Sequence, residues 1–180
     1  MKNLILILSL LLLNTKLFSQ ENTEAFTISR NRITLTGMNV LGGWGVANSA
    51  LGISGWIASE DLAHKRFYQM TTIWGAVDLG AALFGYTNAR KEINKHQSIQ
   101  ENLKAQSRIE RTFLVNGALD VVYVGAGAIL NNRGDKNNNA TLRGYGSSII
   151  MQGAFLLLFD GTMYALHRSN GNKFRHLLNL

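Results

Sequence analysis

Apolar residues gather in one short run at the start of the chain and in four longer runs after it. The longer runs cover residues 37–58, 68–87, 112–131 and 145–166. An α-helix rises about 1.5 Å per residue, so roughly 20 residues cross the hydrocarbon core of a bilayer. Each run has about that length, and the pattern therefore predicts four membrane-spanning helices.

Two other architectures compete with this interpretation. A β-barrel would suit the many glycines, but its strands need alternating apolar and polar positions, and stretches such as AFLLLF are apolar throughout. A soluble bundle of buried helices is disfavoured because four such runs follow an apolar leader. We therefore expect an all-α fold, a four-helix transmembrane bundle that follows a cleaved N-terminal signal peptide.

The short first run predicts a signal peptide over residues 1–19. Lys2 supplies a basic start, residues 4–13 are apolar except for one serine, and the small Ser19 precedes Gln20. An apolar core of this length is too short to cross a bilayer but is typical of a secretory signal. We expect cleavage after Ser19, and an uncleaved anchor is the alternative.

Polar segments flank and interrupt the predicted membrane domain, which covers residues 37–167. Residues 20–36 form a polar N-terminal segment, and residues 168–180 form a tail that could rest on the membrane interface through Phe174. Residues 88–111 lack Gly and Pro and are rich in helix formers. They predict a charged helical hairpin that extends the second and third helices beyond the membrane.

The chain carries a net charge of +7 and contains no cysteine. Such a balance can indicate a nucleic acid or an anionic membrane as partner. The basic residues lie between the apolar runs and not on one face interleaved with aromatics, so we expect the lipid bilayer and no nucleic acid. Without cysteine there is no disulfide and no thiolate metal site.

Each predicted span carries a stripe of small or polar residues at three- and four-residue spacing, opposite its large apolar residues. Membrane helices pack through such residues, so the stripes should face the interior of the bundle. When the spans are folded as successive hairpins, one polar layer forms near the midplane and a second lies nearer residues 88–111. The first layer contains Asn48, Asp78 and Asp120, and the second contains Asn116 and Asp160.

Two hypotheses account for the aspartates. An ionised carboxylate at the bilayer centre costs about 2.5–3.5 kcal/mol on insertion scales, which makes such residues unusual. Asp78 and Asp120 could share a proton or bind a cation, because two like charges held close cannot both stay ionised. Alternatively, a protonated aspartate donates a structural hydrogen bond to Asn48, a kind of contact worth about 0.6 kcal/mol. The sequence favours the structural hypothesis and leaves the other open.

Catalytic chemistry finds little support. Intramembrane aspartyl proteases carry Tyr-Asp and Gly-x-Gly-Asp strings, whereas Asp78 and Asp120 follow Ala-Val and Ala-Leu. The histidines lie in or beside aqueous segments and form no pair with metal-ligand spacing. We expect no enzymatic activity, no metal and no cofactor.

The signal-like start and the four Gly-rich spans together resemble an uncharacterised class of small bacterial four-span membrane proteins that carry a signal peptide, a domain of unknown function. The resemblance implies a membrane location and no particular activity. We expect a non-catalytic structural or accessory subunit of the inner membrane, bound to a membrane-protein partner or to further copies of itself. The alternative is a small proton- or cation-handling bundle.

The orientation in the membrane is predicted in opposite directions by two features. A cleaved signal would leave both termini and residues 88–111 outside the cytoplasm. That side would then carry most of the lysines and arginines, against the tendency for such residues to stay inside. We give the signal peptide precedence and expect both termini outside.

Overall fold

The protein is described here by a computed structural model that covers the backbone of residues 2–178 and the side chains of residues 22–178. This part of the chain forms four α-helices and contains no strand, which confirms the all-α, four-helix prediction. The helices are α1 (Lys2–Ala58), α2 (Leu62–Glu92), α3 (Ile99–Lys136) and α4 (Ala140–Leu177). The side chains of the predicted signal peptide, residues 1–19, lie outside the described residues.

Local capping explains where the later helices begin. The Asp61 carboxylate accepts a hydrogen bond from the backbone N–H of His64, and Ser98 forms a reciprocal capping box with Glu101. Asn139 caps α4, directly after Asn138, whose φ of 51° is one that Asn tolerates in a tight turn. The connectors between the helices are short, and the helices extend well beyond the predicted spans.

Glycines bring the helices together as two close pairs. In the α1–α2 pair, a Cβ added at Gly75 would lie 2.6 Å from the backbone nitrogen of Ser49 and 2.8 Å from the carbonyl of Gly45. In the α3–α4 pair, a Cβ added at Gly127 would lie 2.9 Å from the carbonyl of Gly146. These glycines belong to small-residue stripes, which let helix backbones approach closely.

The two pairs are joined mainly where α4 packs against α2. The hydroxyls of Thr71 and Ser148 lie 2.9 Å apart, and the Tyr145 hydroxyl donates to Gln69. Because α4 occupies this position, the backbones of α2 and α3 do not pack against each other. The bundle is therefore open along one side.

Within the described residues, two helices are long and apolar enough to cross a membrane. These are α3 and α4, whose best windows have mean hydropathies of 1.7 and 1.5. Only 17% and 22% of these windows are buried, whereas the core helix of a soluble protein is mostly buried. Helix α2 and the part of α1 whose side chains the structure describes contain no such window, because the predicted span of α1 is rich in Gly, Ser and Asn and that of α2 in Gly and Thr.

Polar residues occupy much of the interior of the bundle. The buried polar side chains include Asn48, Thr71, Asp78, Asp120, Ser148, Gln152, Asp160 and His167. Large apolar side chains are exposed on all four helices, among them Val46, Leu51, Ile73, Leu83, Val115, Val122 and Leu158. A small apolar core that includes Met38, Phe113, Phe159 and Met163 is buried as well, but so many buried polar and exposed large apolar side chains are unusual for a water-soluble protein.

Candidate functional site

A cleft of about 620 Å³ separates α2 from α3. Leu156, Phe159 and Asp160 of α4 line it from behind, together with residues of α1. At one end the rings of Trp74 and Tyr123 meet edge to face, with centroids 5.4 Å apart. The cleft follows the faces of α2 and α3 from there to Glu92 and Arg108.

Three buried aspartates from three different helices line this cleft. Asp78 of α2, Asp120 of α3 and Asp160 of α4 are 3%, 2% and 5% exposed. One carboxylate oxygen of Asp78 and one of Asp120 are buried without any hydrogen-bond partner. The side chains of Asp120 and Asp160 lie close enough to share a hydrogen bond, which would require one proton on the pair.

The structure brings four of the five predicted site residues together. Asn116 is half-buried, lines the same cleft and contacts the Asp160 side chain. Asp78 and Asp120 interact electrostatically across the cleft. The carboxyl groups are thus held where a proton could be shared or a cation could bind.

Asn48 lies apart from this group. Its side-chain oxygen accepts a hydrogen bond of 2.9 Å from Gln152, and its side-chain nitrogen donates to the carbonyl of Trp44. The indole N–H of Trp44 donates to Gln152 in turn, at 2.9 Å. The structural hypothesis expected an aspartate to bond Asn48, but Gln152 of α4 occupies that place. Gln152 lies on the predicted fourth span but was not singled out.

A second buried polar group lies at the end of the bundle next to the α2–α3 connector, where the cleft reaches Glu92. We call it the end cluster: Arg30, Asn102, Gln106, Glu110 and His167. Arg30 is completely buried and donates to the side-chain oxygen of Asn102 at 2.6 Å. Gln106 donates both to Glu110 and to the carbonyl of His167.

Ion pairs and an aromatic stack complete the end cluster. Glu110 pairs with Arg168 at 3.0 Å and with Arg175 at 3.4 Å. Phe174, which we expected at the membrane interface, is buried and stacks on Phe26 with ring centroids 3.9 Å apart. The end of α4 therefore packs against α1.

Burial dominates the electrostatics of the end cluster, which lies outside the predicted spans. Burial and the charge of Arg30 lower the pKa of His167 to about 4, so its ring is neutral at pH 7. Burial lowers the pKa of Arg30, and Glu92 opposes this effect. For Glu110, burial acts to raise the pKa, but hydrogen bonds from Gln106 and Arg168 and the charge of Arg175 bring it below its ordinary value.

Only His167 of the end cluster lies on a stripe that was expected to face the interior; the other four residues were missed because they fall in segments that looked solvated. A signal was present nonetheless. Asn102, Gln106 and Glu110 recur every fourth residue and therefore share one face of α3. Their spacing would have indicated a polar face that another helix could cover.

Comparison with known proteins identifies the family but no activity. No curated protein and no solved structure matches the chain significantly. A family model matches residues 40–161, a range that contains Asn48, Asn116 and all three aspartates of the cleft. The match covers more than half of the chain, which therefore belongs to the family of unknown function DUF6992.

Proposed function

We propose that the protein is a non-catalytic integral membrane protein whose four helices all cross the bilayer. The main support for this proposal is the distribution of side chains: many polar groups are buried between the helices, and many large apolar groups are exposed on the surface of the bundle. Lipid gives no hydrophobic drive for helices to associate, so membrane bundles place small and polar residues between their helices. The close approaches at Gly75 and Gly127 and the buried Gln152 support this assignment.

Single cysteines provide a direct test, because the natural chain has none. Leu83 and Val122 are 66% and 62% exposed at mid-helix, whereas Lys95 is exposed on the α2–α3 connector. In native membranes, a membrane-impermeant maleimide should label Lys95→Cys but neither Leu83→Cys nor Val122→Cys until the membranes are dissolved and the protein unfolded. Equal labelling of all three native variants, with the chain in the soluble fraction, would contradict the proposal.

In this membrane role the chain acts as a structural or accessory subunit of the inner membrane, with both termini outside the cytoplasm. The exposed apolar faces of all four helices offer room for a membrane-protein partner or a second copy. Purification in mild detergent followed by mass measurement should yield a complex heavier than one chain. A reporter active on one side of the membrane, fused to Leu180, tests the orientation.

A second function, proton or cation handling, is favoured by the three aspartates on the open cleft. Their carboxyl groups come from three helices, and two of them keep an unpartnered buried oxygen. Intramembrane carboxyl groups that face a cavity typically mark ion or proton pathways. Unpaired buried atoms also occur at Arg30, Gln106 and His167 of the end cluster; the aspartates differ from these in facing the open cleft.

Reconstitution in liposomes tests this second function. Purified protein should conduct protons or monovalent cations under an imposed gradient, and Asp120→Asn should abolish the flux because the amide cannot take up a proton. Asp135→Asn is the matched control, since Asp135 is an exposed aspartate of the same helix. Flux equal to that of empty liposomes would leave only the structural role.

A further inference from the structure

We infer that the cleft between α2 and α3 is a cation-selective half-channel, that is, a water-filled passage open at one end only. Its entrance lies at Asn88 and Glu92 of α2 and Arg108 and Thr112 of α3, and it leads to Asp120. The inference rests on the proposed handling of protons or cations. It adds the route by which these ions reach the carboxyl groups and the side from which they come.

A ladder of polar side chains runs along α3 from the entrance to the buried acid. Arg108, Thr112, Asn116 and Asp120 follow one another every fourth residue and all line the cleft. At 1.5 Å per residue the ladder is about 18 Å long. Arg108 and Thr112 are exposed, Asn116 is half-buried and Asp120 is 2% exposed. A series of this kind offers water successive hydrogen-bond partners toward the interior.

The opposite wall shows the same change in exposure. On α2, Asn88 is exposed and Glu92 is partly exposed, whereas Asp78 is 3% exposed. Between them the rim consists of apolar side chains such as Phe84, which is 72% exposed. In a bilayer, lipid chains would cover that rim. Water would then enter at the polar end.

The far end of the cleft is closed. The rings of Trp74 and Tyr123 meet there, and the cleft has no lining residue beyond them among the described residues. Past this point α4 fills the space between α2 and α3. A Cβ added at Gly144 would lie 2.9 Å from the backbone nitrogen of Phe67 on α2, which shows how closely α4 approaches α2. In this conformation, water and ions therefore reach the aspartates from one side of the membrane only.

The charges on the cleft favour cations. Its ionisable lining residues are Asp78, Asp120, Asp160 and Glu92 against one cation, Arg108. A proton shared by Asp120 and Asp160, together with the ion pair of Glu92 with Arg30 at 3.8 Å, reduces the excess of negative charge but does not reverse it. The unpartnered buried oxygens of Asp78 and Asp120 belong to this lining. A cleft with charges of one sign and walls of low dielectric constant concentrates counter-ions. A volume of about 620 Å³ could hold roughly 20 water molecules at about 30 Å³ each.

Cysteine modification by small charged thiosulfonates tests the inference. The cleft variants are Thr112→Cys and Asn116→Cys, and the lipid-facing controls on the same helix are Leu114→Cys and Val122→Cys. The modification rate of each variant is divided by the modification rate of Lys95→Cys on the connector. A trimethylammonium reagent and a sulfonate reagent are applied separately to each side of the membrane.

The expected result has three parts. The cleft cysteines react from the side that carries the α2–α3 connector and not from the other, and the lipid-facing controls do not react. At Asn116→Cys, the ratio of the cationic to the anionic rate exceeds that at Lys95→Cys by at least about tenfold, the lower end of electrostatic enhancement. Adding Asp120→Asn and Asp160→Asn brings this ratio back toward the connector value.

Three outcomes would overturn the inference. An unreactive Asn116→Cys in a protein that elutes normally on gel filtration would mean a dry cleft. A reaction from the opposite side would mean that the entrance is misplaced, and equal rates for both reagents would remove the cation selectivity. If Asn116→Cys does not fold, Leu119→Cys on the cleft rim replaces it. Selective labelling without any flux in liposomes would keep the half-channel and reject proton or cation transport.

Discussion

Asp78 on α2 and Asp120 on α3 interact across an open cleft, although the backbones of these two helices do not pack against each other. Each retains a buried carboxylate oxygen with no hydrogen-bond partner. A polar contact that served only to hold helices together would pair these atoms, because unpaired buried groups cost about 1–3 kcal/mol. The two residues therefore lower the stability of the folded protein, and a role in binding protons or cations would explain their presence.

Substitution of Asp78 tests this directly. We expect Asp78→Leu to fold with unchanged or higher thermal stability in detergent, because it removes an unpaired buried oxygen and the interaction with Asp120. Replacement of a whole buried ion pair by apolar residues of similar volume is often neutral or stabilising by about 1–4 kcal/mol, and Asp78 has no opposite charge whose loss would oppose the gain. Differential scanning fluorimetry on the three tryptophans measures the change. A loss above about 2 kcal/mol would instead identify Asp78 as a structural contact.

The α1–α2 interface should be sensitive to a single methyl group at Gly75. A Cβ there would lie 2.6 Å and 2.8 Å from backbone atoms of α1, which cannot move aside as a flexible side chain would. We expect Gly75→Ala to cost about 1–3 kcal/mol, as for overpacking in a core. Gly80→Ala is the matched control, because no atom of another helix lies within 4 Å of its added Cβ. The control should be neutral or stabilising by up to about 1 kcal/mol, and equal effects at both positions would contradict the described packing.

Gln152 should hold α1 and α4 together through Trp44 and Asn48. Gln152→Leu would leave the indole N–H of Trp44 and the side-chain oxygen of Asn48 without partners. We expect a loss of about 1–3 kcal/mol in unfolding free energy. In a double-mutant cycle, Trp44→Phe should cost less in the Gln152→Leu background than in the natural chain. Additive effects would show that the hydrogen bond between them contributes nothing.

Some interior residues can be located from helical periodicity alone, whereas others depend on which helices are neighbours and how each is rotated. Helical periodicity alone indicates that Gly45 and Gly75 lie on stripes, and matching depths along hairpins brings Asp78 level with Asp120. Periodicity does not reveal which helices become neighbours. That α4 lies between α2 and α3, and that Gln152 rather than an aspartate meets Asn48, depends on the rotation of each helix about its axis.

The end cluster shows a second limit. Ionisable residues just beyond an apolar run usually face water, so Arg30 gave no indication of burial, whereas His167 continues the polar stripe of the fourth span that was expected to face the interior. They are buried because α1, α3 and α4 continue as packed helices past the predicted spans. Helix length beyond the apolar run is set by caps and by packing, which hydropathy does not report.

The predicted signal peptide gives a simple chemical test. Mass spectrometry of the protein purified from membranes should find Gln20, or its cyclised form, at the N-terminus. The physical reason is the short apolar core of residues 4–13, which suits translocation and cleavage but not a stable span. A mature chain that begins at Met1 would establish the alternative, an uncleaved anchor.

His167 should make the folded protein sensitive to moderate acid. Its side chain is fully buried, contacts the Thr34 hydroxyl and stacks on Phe113, and Arg30 disfavours a second positive charge beside it. Its pKa is about 4 in the folded protein, compared with about 6.5 for an unperturbed histidine. Above pH 6.5 the ring is neutral in both states, and its contribution to stability is complete. As the pH falls from 6.5 to 4, the unfolded chain takes up a proton that the folded chain excludes, so stability is lost, by up to about 3 kcal/mol.

Melting temperatures between pH 7.5 and 4 should therefore decline more steeply for the natural chain than for His167→Gln, which has no proton to gain. His96→Gln, at an exposed position, should keep the steep decline. Equal slopes for the natural chain and His167→Gln would show that the buried ring does not control acid stability.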